Sequence, residues 1–219
     1  MTRASKLFIT ILIIIGFMAS CNTNEPRGLP YYIGPDLTPL WISKTSDSFE
    51  HIHIIPAFSF INQNGEVFTE KNVAGKIYVA NFIFTSCGSI CPKMTANFSI
   101  LQKAFANDDE VILLSHTVDP ERDSAATLRR YAGIKKISAT KWQLLTGSKA
   151  ALYTLAKKEY FAGDSLGYYG DLNEFLHTEK VFLIDKHRRI RGVYNGTLPV
   201  EMNRIIEDIA TLKKERPGS

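Results

Sequence analysis

The chain has 219 residues, of which 45% are apolar and 22% are charged, and its formal net charge is +4. This length fits one ordinary domain with a targeting segment, and this composition is that of a globular protein with a substantial core. The basic residues include no dense run interleaved with aromatic residues, so we expect no nucleic acid partner.

The first 20 residues have the pattern of an export signal. Two basic residues precede the apolar run 7–18, and small residues and then Cys21 follow it. This order is typical of a signal peptide, and the run is shorter than the roughly 20 apolar residues of a transmembrane helix. The stretch Met18–Cys21 also resembles the lipobox of bacterial lipoproteins. We therefore expect residues 1–20 to be a lipoprotein signal peptide and Cys21 to be lipidated. An uncleaved short anchor is the alternative. In both cases the domain is exported and held at a membrane, facing the periplasm or extracytoplasmic space.

The cysteine count supports this interpretation. Three is an odd number, and assigning Cys21 to the lipid leaves the pair Cys87 and Cys91. A disulfide between residues this close in sequence closes a small loop and removes little chain entropy. We expect such a pair to serve chemistry rather than stability.

Residues 21–50 predict a membrane tether and an irregular lead-in, because they are rich in proline, glycine, asparagine and threonine. Tyr31, Tyr32 and Trp41 within this stretch predict that part of it packs on the domain. The folded domain itself is expected to span residues 51–216.

Strand and helix patterns alternate through this domain. The run 76–84 is the strongest strand, because it is almost continuously apolar and β-favouring, as in a central strand buried on both faces. The other predicted strands are 54–61, 66–69, 111–118, 141–145, 181–185 and 189–194, and the predicted helices are 93–105, 125–132, 149–160 and 200–213. A polar stretch, 162–175, predicts a surface loop. The order predicts an α/β, thioredoxin-like fold with an N-terminal β-hairpin extension and a mid-chain insertion.

Cys87 and Cys91 lie between the strongest strand and an amphipathic helix, where unpaired N–H groups stabilise a thiolate. Pro92 suits the first turn of that helix. If the segment is already helical at Cys87, both sulfurs share one face. Three interpretations remain open: a structural disulfide, a catalytic dithiol and a soft-metal site. Dithiols of the thioredoxin kind have two intervening residues, whereas this pair has three. Two thiolates suit Cu(I) and usually leave room for another ligand.

A histidine is the natural third ligand, and His177 has the most favourable position. It precedes the last predicted hairpin, and in a thioredoxin arrangement the residues just before that strand approach the cysteine helix. His116 is expected inside the packed layer. His51 and His53 share a face of an extended segment and could bind a metal, but solvated side chains are the simpler interpretation. His187 is expected in a basic, solvated hairpin turn.

An ordered set of motifs resembles the Sco/SenC family of copper proteins. The matching stretches are 82–87, 91–94, 118–123, 142–147, His177 with 181–185, and 194–196. The resemblance implies a thioredoxin-like fold and one copper ion, Cu(I) or Cu(II), bound by Cys87, Cys91 and His177. It also implies a role in assembling the dinuclear copper site of cytochrome oxidase. In that role the protein would deliver copper, keep the oxidase cysteines reduced through a redox-active disulfide pair, or both.

The acidic residues Asp119 and Asp123 follow the second long strand, which places them near the cysteines as supporting residues. An equal interpretation is a loop and helix cap held by Asp123 and Arg122. This chain departs from the family pattern in Gly88, which follows the first cysteine, and in the charged run after His177. Neither departure removes a ligand.

The leading hypothesis is a copper metallochaperone that serves the copper-site subunit of cytochrome oxidase and is reduced by an extracytoplasmic thiol reductant. The alternative is an extracytoplasmic thiol–disulfide oxidoreductase. The alternative needs both cysteines but can dispense with His177, so a substitution of His177 discriminates between the two.

Overall fold

The structure, a computed structural model, describes residues 28–43, 45–163 and 178–215. Within these ranges the chain forms seven β-strands and four α-helices. The strands are β1 (Ser59–Asn62), β2 (Val67–Thr69), β3 (Ile77–Ile83), β4 (Val111–Thr117), β5 (Trp142–Thr146), β6 (Lys180–Ile184) and β7 (Ile190–Asn195), and the helices are α1 (Ile90–Ala104), α2 (Ala125–Lys135), α3 (Lys149–Thr154) and α4 (Pro199–Lys214).

The described strands form one mixed sheet in the order β2-β1-β5-β4-β3-β6-β7. The central strands β3, β4 and β5 are parallel, and all seven residues of β3 are buried, which explains its continuous apolar pattern. The hairpin β1–β2 joins β5 and the hairpin β6–β7 joins β3, both in antiparallel pairing. Ile83 pairs with Thr117, so the carboxyl ends of β3 and β4 meet at one edge of the sheet. We call this edge the cysteine edge, because Cys87 lies just beyond it.

Each face of the sheet carries an apolar core. Helices α1 and α4 cover one face with the fully buried side chains Met94, Phe98, Leu101, Met202 and Ile205. The other face is covered by α3, the turn after it and the segment before β1, with Phe58, Phe60, Leu152, Tyr153 and Tyr160. Burying one large apolar side chain contributes about 1.5–3 kcal/mol, so the first of these layers holds α1 firmly against the strand that precedes the cysteines.

The predicted thioredoxin-like α/β fold is confirmed, but several elements differ from their predicted bounds. Strand β1 begins at Ser59 rather than at 54, because the N–H of Ile55 donates to the carbonyl of Arg188 instead of entering the β1 ladder. Helix α1 begins at Ile90 rather than at 93. The predicted helix 149–160 is α-helical only to Thr154 and continues as a π turn, Leu155–Glu159. The stretch 164–175 of the predicted surface loop lies outside the described residues.

The lead-in packs on the domain through Tyr31, as predicted. Tyr31 is buried and pairs with Leu40 through two backbone hydrogen bonds of 2.8 and 2.9 Å. Trp41, which the sequence also suggested as a packing residue, is instead 56% exposed. None of the described helices is long and apolar enough to cross a membrane.

Candidate metal centre

The two cysteines of the central motif lie where β3 passes into α1. Cys87 is in the loop before the helix, and its N–H donates to the carbonyl of Phe84 at 3.2 Å. Cys91 is in the first turn of α1, next to Pro92. Both are free thiols, with 9% of Cys87 and 3% of Cys91 exposed. The condition under which the sequence placed both sulfurs on one helix face, a segment already helical at Cys87, is therefore not met, because the helix begins at Ile90.

The start of α1 leaves its first N–H groups available to the sulfur of Cys87. Ser89 is the N-cap residue, but its side chain makes no capping hydrogen bond. Burial on its own would raise the pKa of the Cys87 thiol. The N–H groups of Cys91, Ser89 and Ile90 and the thiol of Cys91 outweigh that effect by hydrogen-bonding to the sulfur, so the pKa of Cys87 is lowered.

Cys91 responds in the opposite direction. Burial is the largest effect and raises the pKa of the Cys91 thiol, and its hydrogen bond to Cys87 and the charge of a Cys87 thiolate raise it further. The pair therefore has one sulfur that forms a thiolate more readily, Cys87, and one thiol that keeps its proton to higher pH, Cys91, and the two are joined by a hydrogen bond. Such a pair can attack a disulfide with Cys87, and it can offer two sulfur ligands once Cys91 loses its proton to a metal ion.

Asp123 fixes the loop that leads to the cysteines. Its carboxylate is fully buried and accepts a hydrogen bond from the N–H of Thr85 at 3.0 Å and another from the hydroxyl of Thr85. The hydroxyl of Thr117, the last residue of β4, donates to the same carboxylate at 2.6 Å. Asp123 thus joins the end of β4 to Thr85, which follows β3 and is two residues before Cys87.

Asp119 has a more local role. Its carboxylate lies 3.8 Å from the exposed guanidinium of Arg122, and its carbonyl accepts the N–H groups of Arg122 and Asp123. Among the described residues, Asp119 therefore shapes the loop after β4, whereas Asp123 contacts the cysteine segment. Sequence reasoning named both aspartates but missed Thr85 and Thr117, although Thr85 lies inside the motif that precedes Cys87.

The third predicted ligand, His177, lies outside the described residues, as does Cys21. The structure begins again at Thr178, which is buried. The carbonyl of Glu179 accepts the N–H of Gly196 at 2.7 Å, and a Cβ built at Gly196 would lie 3.0 Å from the methyl group of Met94. The start of β6 is therefore beside α1, one turn after Cys91. Within 28–43, 45–163 and 178–215, no three His, Cys, Asp or Glu side chains are grouped to hold a metal.

The other histidines among the described residues are buried in a core, packed on the domain surface or exposed. His116 is fully buried among aromatic rings, as predicted. His53 packs on Phe161 and its Nε2 lies 2.9 Å from the carbonyl of Glu159, so it is part of the domain surface rather than a free ligand. His187 is exposed in the turn between β6 and β7, as predicted.

Tyr131 is a neighbour of the site that sequence reasoning missed. Its hydroxyl is 2.8 Å from the hydroxyl of Thr95 on α1, and burial together with the nearby Cys91 and Cys87 raises its pKa. Tyr131 is on α2, so its approach to α1 depends on how the two helices pack. No local pattern in the sequence predicts that approach.

Comparison with known proteins agrees with this geometry. The family model described as SCO1/SenC matches residues 46–214. The SCO1 protein homolog of Bacillus subtilis (strain 168) is 32% identical over 164 residues, which are 73% of this chain and 84% of that protein.

Solved structures show the same fold. A SCO1/SenC family lipoprotein from Bacillus anthracis aligns with a TM-score of 0.65 and 30% identity over 74% of this chain and 96% of that one. BsSco aligns with a TM-score of 0.63 and 27% identity over 75% of this chain and 96% of that one. It is described as a member of the Sco family of cytochrome c oxidase assembly proteins in which a disulfide switch was identified. Arabidopsis thaliana ScoI with copper bound aligns with a TM-score of 0.55 and 27% identity over 72% of this chain and 98% of that one.

The matched range includes both cysteines, both aspartates and every strand of the described sheet. The chain therefore belongs to the SCO1/SenC family.

Proposed function

We propose that this protein is a copper metallochaperone that binds one copper ion through Cys87, Cys91 and His177. We further propose that it serves the assembly of the dinuclear copper site of cytochrome c oxidase. The observation that carries the proposal is the pair of adjacent thiols at the start of α1, one of them favoured as a thiolate, in a chain of the SCO1/SenC family.

The donor set fits copper because thiolate is a soft ligand that favours Cu(I). Two sulfurs alone leave at least one coordination position open, and an imidazole suits either oxidation state of copper. His177 is the residue directly before Thr178, and the described start of β6 is beside α1. A ligand in that sequence position supports a low-coordinate site that can exchange ligands with an acceptor. Copper bound to Arabidopsis thaliana ScoI supports the same assignment by relationship.

Loading would begin from the dithiol. If the pair is oxidised, an extracytoplasmic dithiol reductant attacks the Cys87–Cys91 disulfide, and two electrons and two protons pass to the pair while the reductant becomes a disulfide. Binding of copper then displaces the proton from Cys91, the thiol with the raised pKa. Release to the acceptor would proceed by replacing one ligand at a time. His177 is the natural first ligand to leave, because it comes from a different segment from the two sulfurs.

The site of action follows from the export pattern. We propose that Cys21 carries a lipid anchor and that the domain faces the periplasm or extracytoplasmic space. The Bacillus anthracis relative is described as a lipoprotein, which supports the anchor by relationship. The copper-site subunit of the oxidase is the expected acceptor, because BsSco is described as a cytochrome c oxidase assembly protein.

A second candidate function is thiol–disulfide exchange with a partner protein. The observation that favours it is the asymmetry of the pair, in which Cys87 has a lowered pKa and Cys91 a raised one. Cys87 would attack the partner disulfide, and Cys91 would then displace the partner as a thiol. This activity needs both cysteines and no imidazole.

The deciding experiment is copper titration of the reduced protein under nitrogen, with the variants Cys87→Ser, Cys91→Ser and His177→Ala. The matched control is His187→Ala, which removes an exposed histidine from the turn at the opposite end of the sheet. Disulfide reduction by the same variants is measured in parallel.

We expect one copper per chain in the parent protein and in His187→Ala, and loss or weakening of binding by at least tenfold in the other three. Parent-like affinity in His177→Ala would remove His177 from the ligand set. Absence of copper binding, together with disulfide reduction that survives His177→Ala, would replace the metallochaperone by the reductase.

A further inference from the structure

The end of the sheet opposite the cysteine edge has features that the copper site does not use. Tyr78, near the start of β3, pairs with Ile184 at the end of β6, so the turn between β6 and β7 lies beside the amino end of β3. Cys87 follows the other end of the same strand. Six steps along a strand span about 20 Å, so this turn and the cysteines are at opposite ends of the domain.

The lead-in is fixed at the end that carries the turn. The guanidinium of Arg191 on β7 is 3% exposed, donates to the carbonyls of Leu29 and Pro30 at 2.6 and 3.1 Å, and makes a two-point ion pair with Glu215 at 2.7 and 2.8 Å. The N–H of Leu29 donates to the same Glu215 carboxylate. The chain therefore enters the domain at this end, beside Glu215, the residue that follows α4.

Apolar side chains are exposed where the lead-in crosses this end. Ile33 is 39% exposed, Leu40 36%, Trp41 56% and Ile54 42%. Leu40 pairs with Tyr31, whose ring is stacked on Arg191 at 4.1 Å, and the N–H next to Ile54 donates to the carbonyl of Arg188. Each of these four residues is, or is next in sequence to, a residue bonded to Tyr31, Ile190 or Arg188, and we call them, together with the turn 186–189, the tether surface.

The turn within the tether surface is rich in basic residues. From Asp185 to Arg191 the chain has four basic residues and one acidic residue. Lys186 pairs with Glu110, and Arg191 pairs with Asp185 and Glu215. Among the described residues, Arg188 and Arg189 are half-buried and have no carboxylate partner, and each has one buried guanidinium nitrogen without a hydrogen bond. Arg189 lies instead over the ring of Phe49 at 4.2 Å.

The expected anchor keeps this surface close to a bilayer. Gly28 is seven residues after Cys21, and seven steps span at most about 25 Å even when fully extended. An exposed tryptophan with neighbouring aliphatic and basic side chains is the composition that partitions into the headgroup region of a membrane.

We propose that the tether surface rests on the lipid bilayer that anchors the chain. Anionic headgroups contact Lys186, Arg188 and Arg189, and Trp41 enters the boundary between headgroups and acyl chains. The cysteine edge then points away from the membrane, about the length of the sheet above it. The inference rests on the proposed lipid anchor at Cys21.

The test uses the lipidated full-length mature chain in vesicles of phosphatidylcholine with phosphatidylglycerol, in which the acyl chains are brominated. Bromine quenches only a tryptophan that enters the bilayer. The chain has two tryptophans, and Trp142 is buried with its indole N–H bonded to Ser115, so it acts as an internal reference. We expect quenching in the parent chain and none in Trp41→Phe.

The charge contribution is tested with Lys186→Gln combined with Arg188→Gln, against Arg130→Gln as the matched control on α2, which packs on β1 and β5 at the far side of the sheet. The measured quantity is the ratio of chains with Trp41 in the bilayer to chains with Trp41 outside it. At about fivefold per lost charge, the double variant should lower this ratio about 25-fold, and the control should leave it unchanged. Mass spectrometry of the mature N-terminus reports the anchor separately, and copper does not enter the measurement.

A lipidated chain whose Trp41 emission is the same in brominated and ordinary vesicles would overturn the tether surface and leave the copper site untouched. Equal quenching in the double variant and the parent would overturn the headgroup contacts. A chain without lipid on Cys21 would overturn the anchor and this inference together.

Discussion

The carboxylate of Asp123 holds Thr85 by two hydrogen bonds, one from its N–H and one from its hydroxyl. The two residues are 38 positions apart in sequence, and Thr85 is two residues before Cys87. Because the hydroxyl of Thr117 donates to the same carboxylate, one buried acidic group connects β4, α2 and the cysteine segment. This arrangement makes Asp123 a positioning residue for Cys87 rather than a ligand.

Replacing Asp123 with Ala should destabilise the protein and loosen the cysteine segment. Three donors would lose a charged acceptor in a buried place, and hydrogen bonds to charged groups contribute about 1.5–3 kcal/mol each without being additive. We expect the free energy of unfolding in urea to fall by about 3 kcal/mol. Asp119→Ala is the control, because its carboxylate faces an exposed arginine at 3.8 Å and should cost less than about 1 kcal/mol. Equal losses in the two variants would contradict the positioning role.

The sequence predicted the parts of this site that depend on local pattern. The buried strand β3, the helix after it and the two cysteines between them follow from apolar periodicity and from Pro92 at a helix start. The bonds from Thr85 and Thr117 to Asp123 join different elements, so no periodicity indicates them. The sequence also did not predict that α1 begins at Ile90. Its N-cap residue, Ser89, makes no side-chain capping hydrogen bond, and the apolar pattern does not indicate a boundary there.

The same limit applies at the other end of the sheet. The sequence indicated aromatic residues in the lead-in but did not separate Tyr31, which is buried, from Trp41, which is exposed. The difference arises from Arg191, whose guanidinium stacks on Tyr31 and donates to the carbonyls of Leu29 and Pro30, the two residues before Tyr31. The contact of Arg191 with this segment joins residues about 160 positions apart in sequence, so it depends on how the whole domain folds.

Cys87 should react faster than Cys91 with an alkylating agent near neutral pH. The N–H groups at the start of α1 lower the pKa of Cys87, whereas burial raises the pKa of Cys91. The rate of iodoacetamide reaction is measured against pH for Cys91→Ala and Cys87→Ala. The midpoint for Cys87 should lie below that for Cys91, since only the thiolate reacts. Midpoints that coincide would show that the helix start does not distinguish the two sulfurs.

His116 should make the protein less stable as the pH falls. Burial lowers the pKa of His116 from 6.5 to about 3. Above pH 6.5 the imidazole is neutral in the folded and unfolded chains, so it adds no pH dependence. Between pH 6.5 and about 3 the unfolded chain binds a proton that the folded chain does not, and stability falls by about 1.4 kcal/mol per pH unit.

The variant that tests this is His116→Leu. It removes two ring nitrogens that have no hydrogen-bond partner among the described residues and lie between the rings of Phe60 and Phe82. An unpaired buried polar group costs about 1–3 kcal/mol, so the variant should be at least as stable as the parent at pH 7. Its unfolding free energy should also change less between pH 6.5 and 4. If the unfolding free energy of the variant fell as steeply with pH as that of the parent, the pH dependence would belong to other groups.

Arg191→Ala should release the lead-in from the domain. Arg191 is the buried partner of Asp185 and Glu215, and removing one member of a buried ion pair costs about 3–5 kcal/mol because a charge remains unpaired. Urea unfolding measures this loss, and limited proteolysis should cut the chain between Gly28 and Trp41 faster than in the parent. Arg204→Ala is the matched control, because its ion pair with Glu201 is on the exposed face of α4 and should contribute at most about 1 kcal/mol. If Arg191→Ala lowered stability without faster cutting in the lead-in, the guanidinium would stabilise α4 and β7 but would not fix the point at which the tether enters.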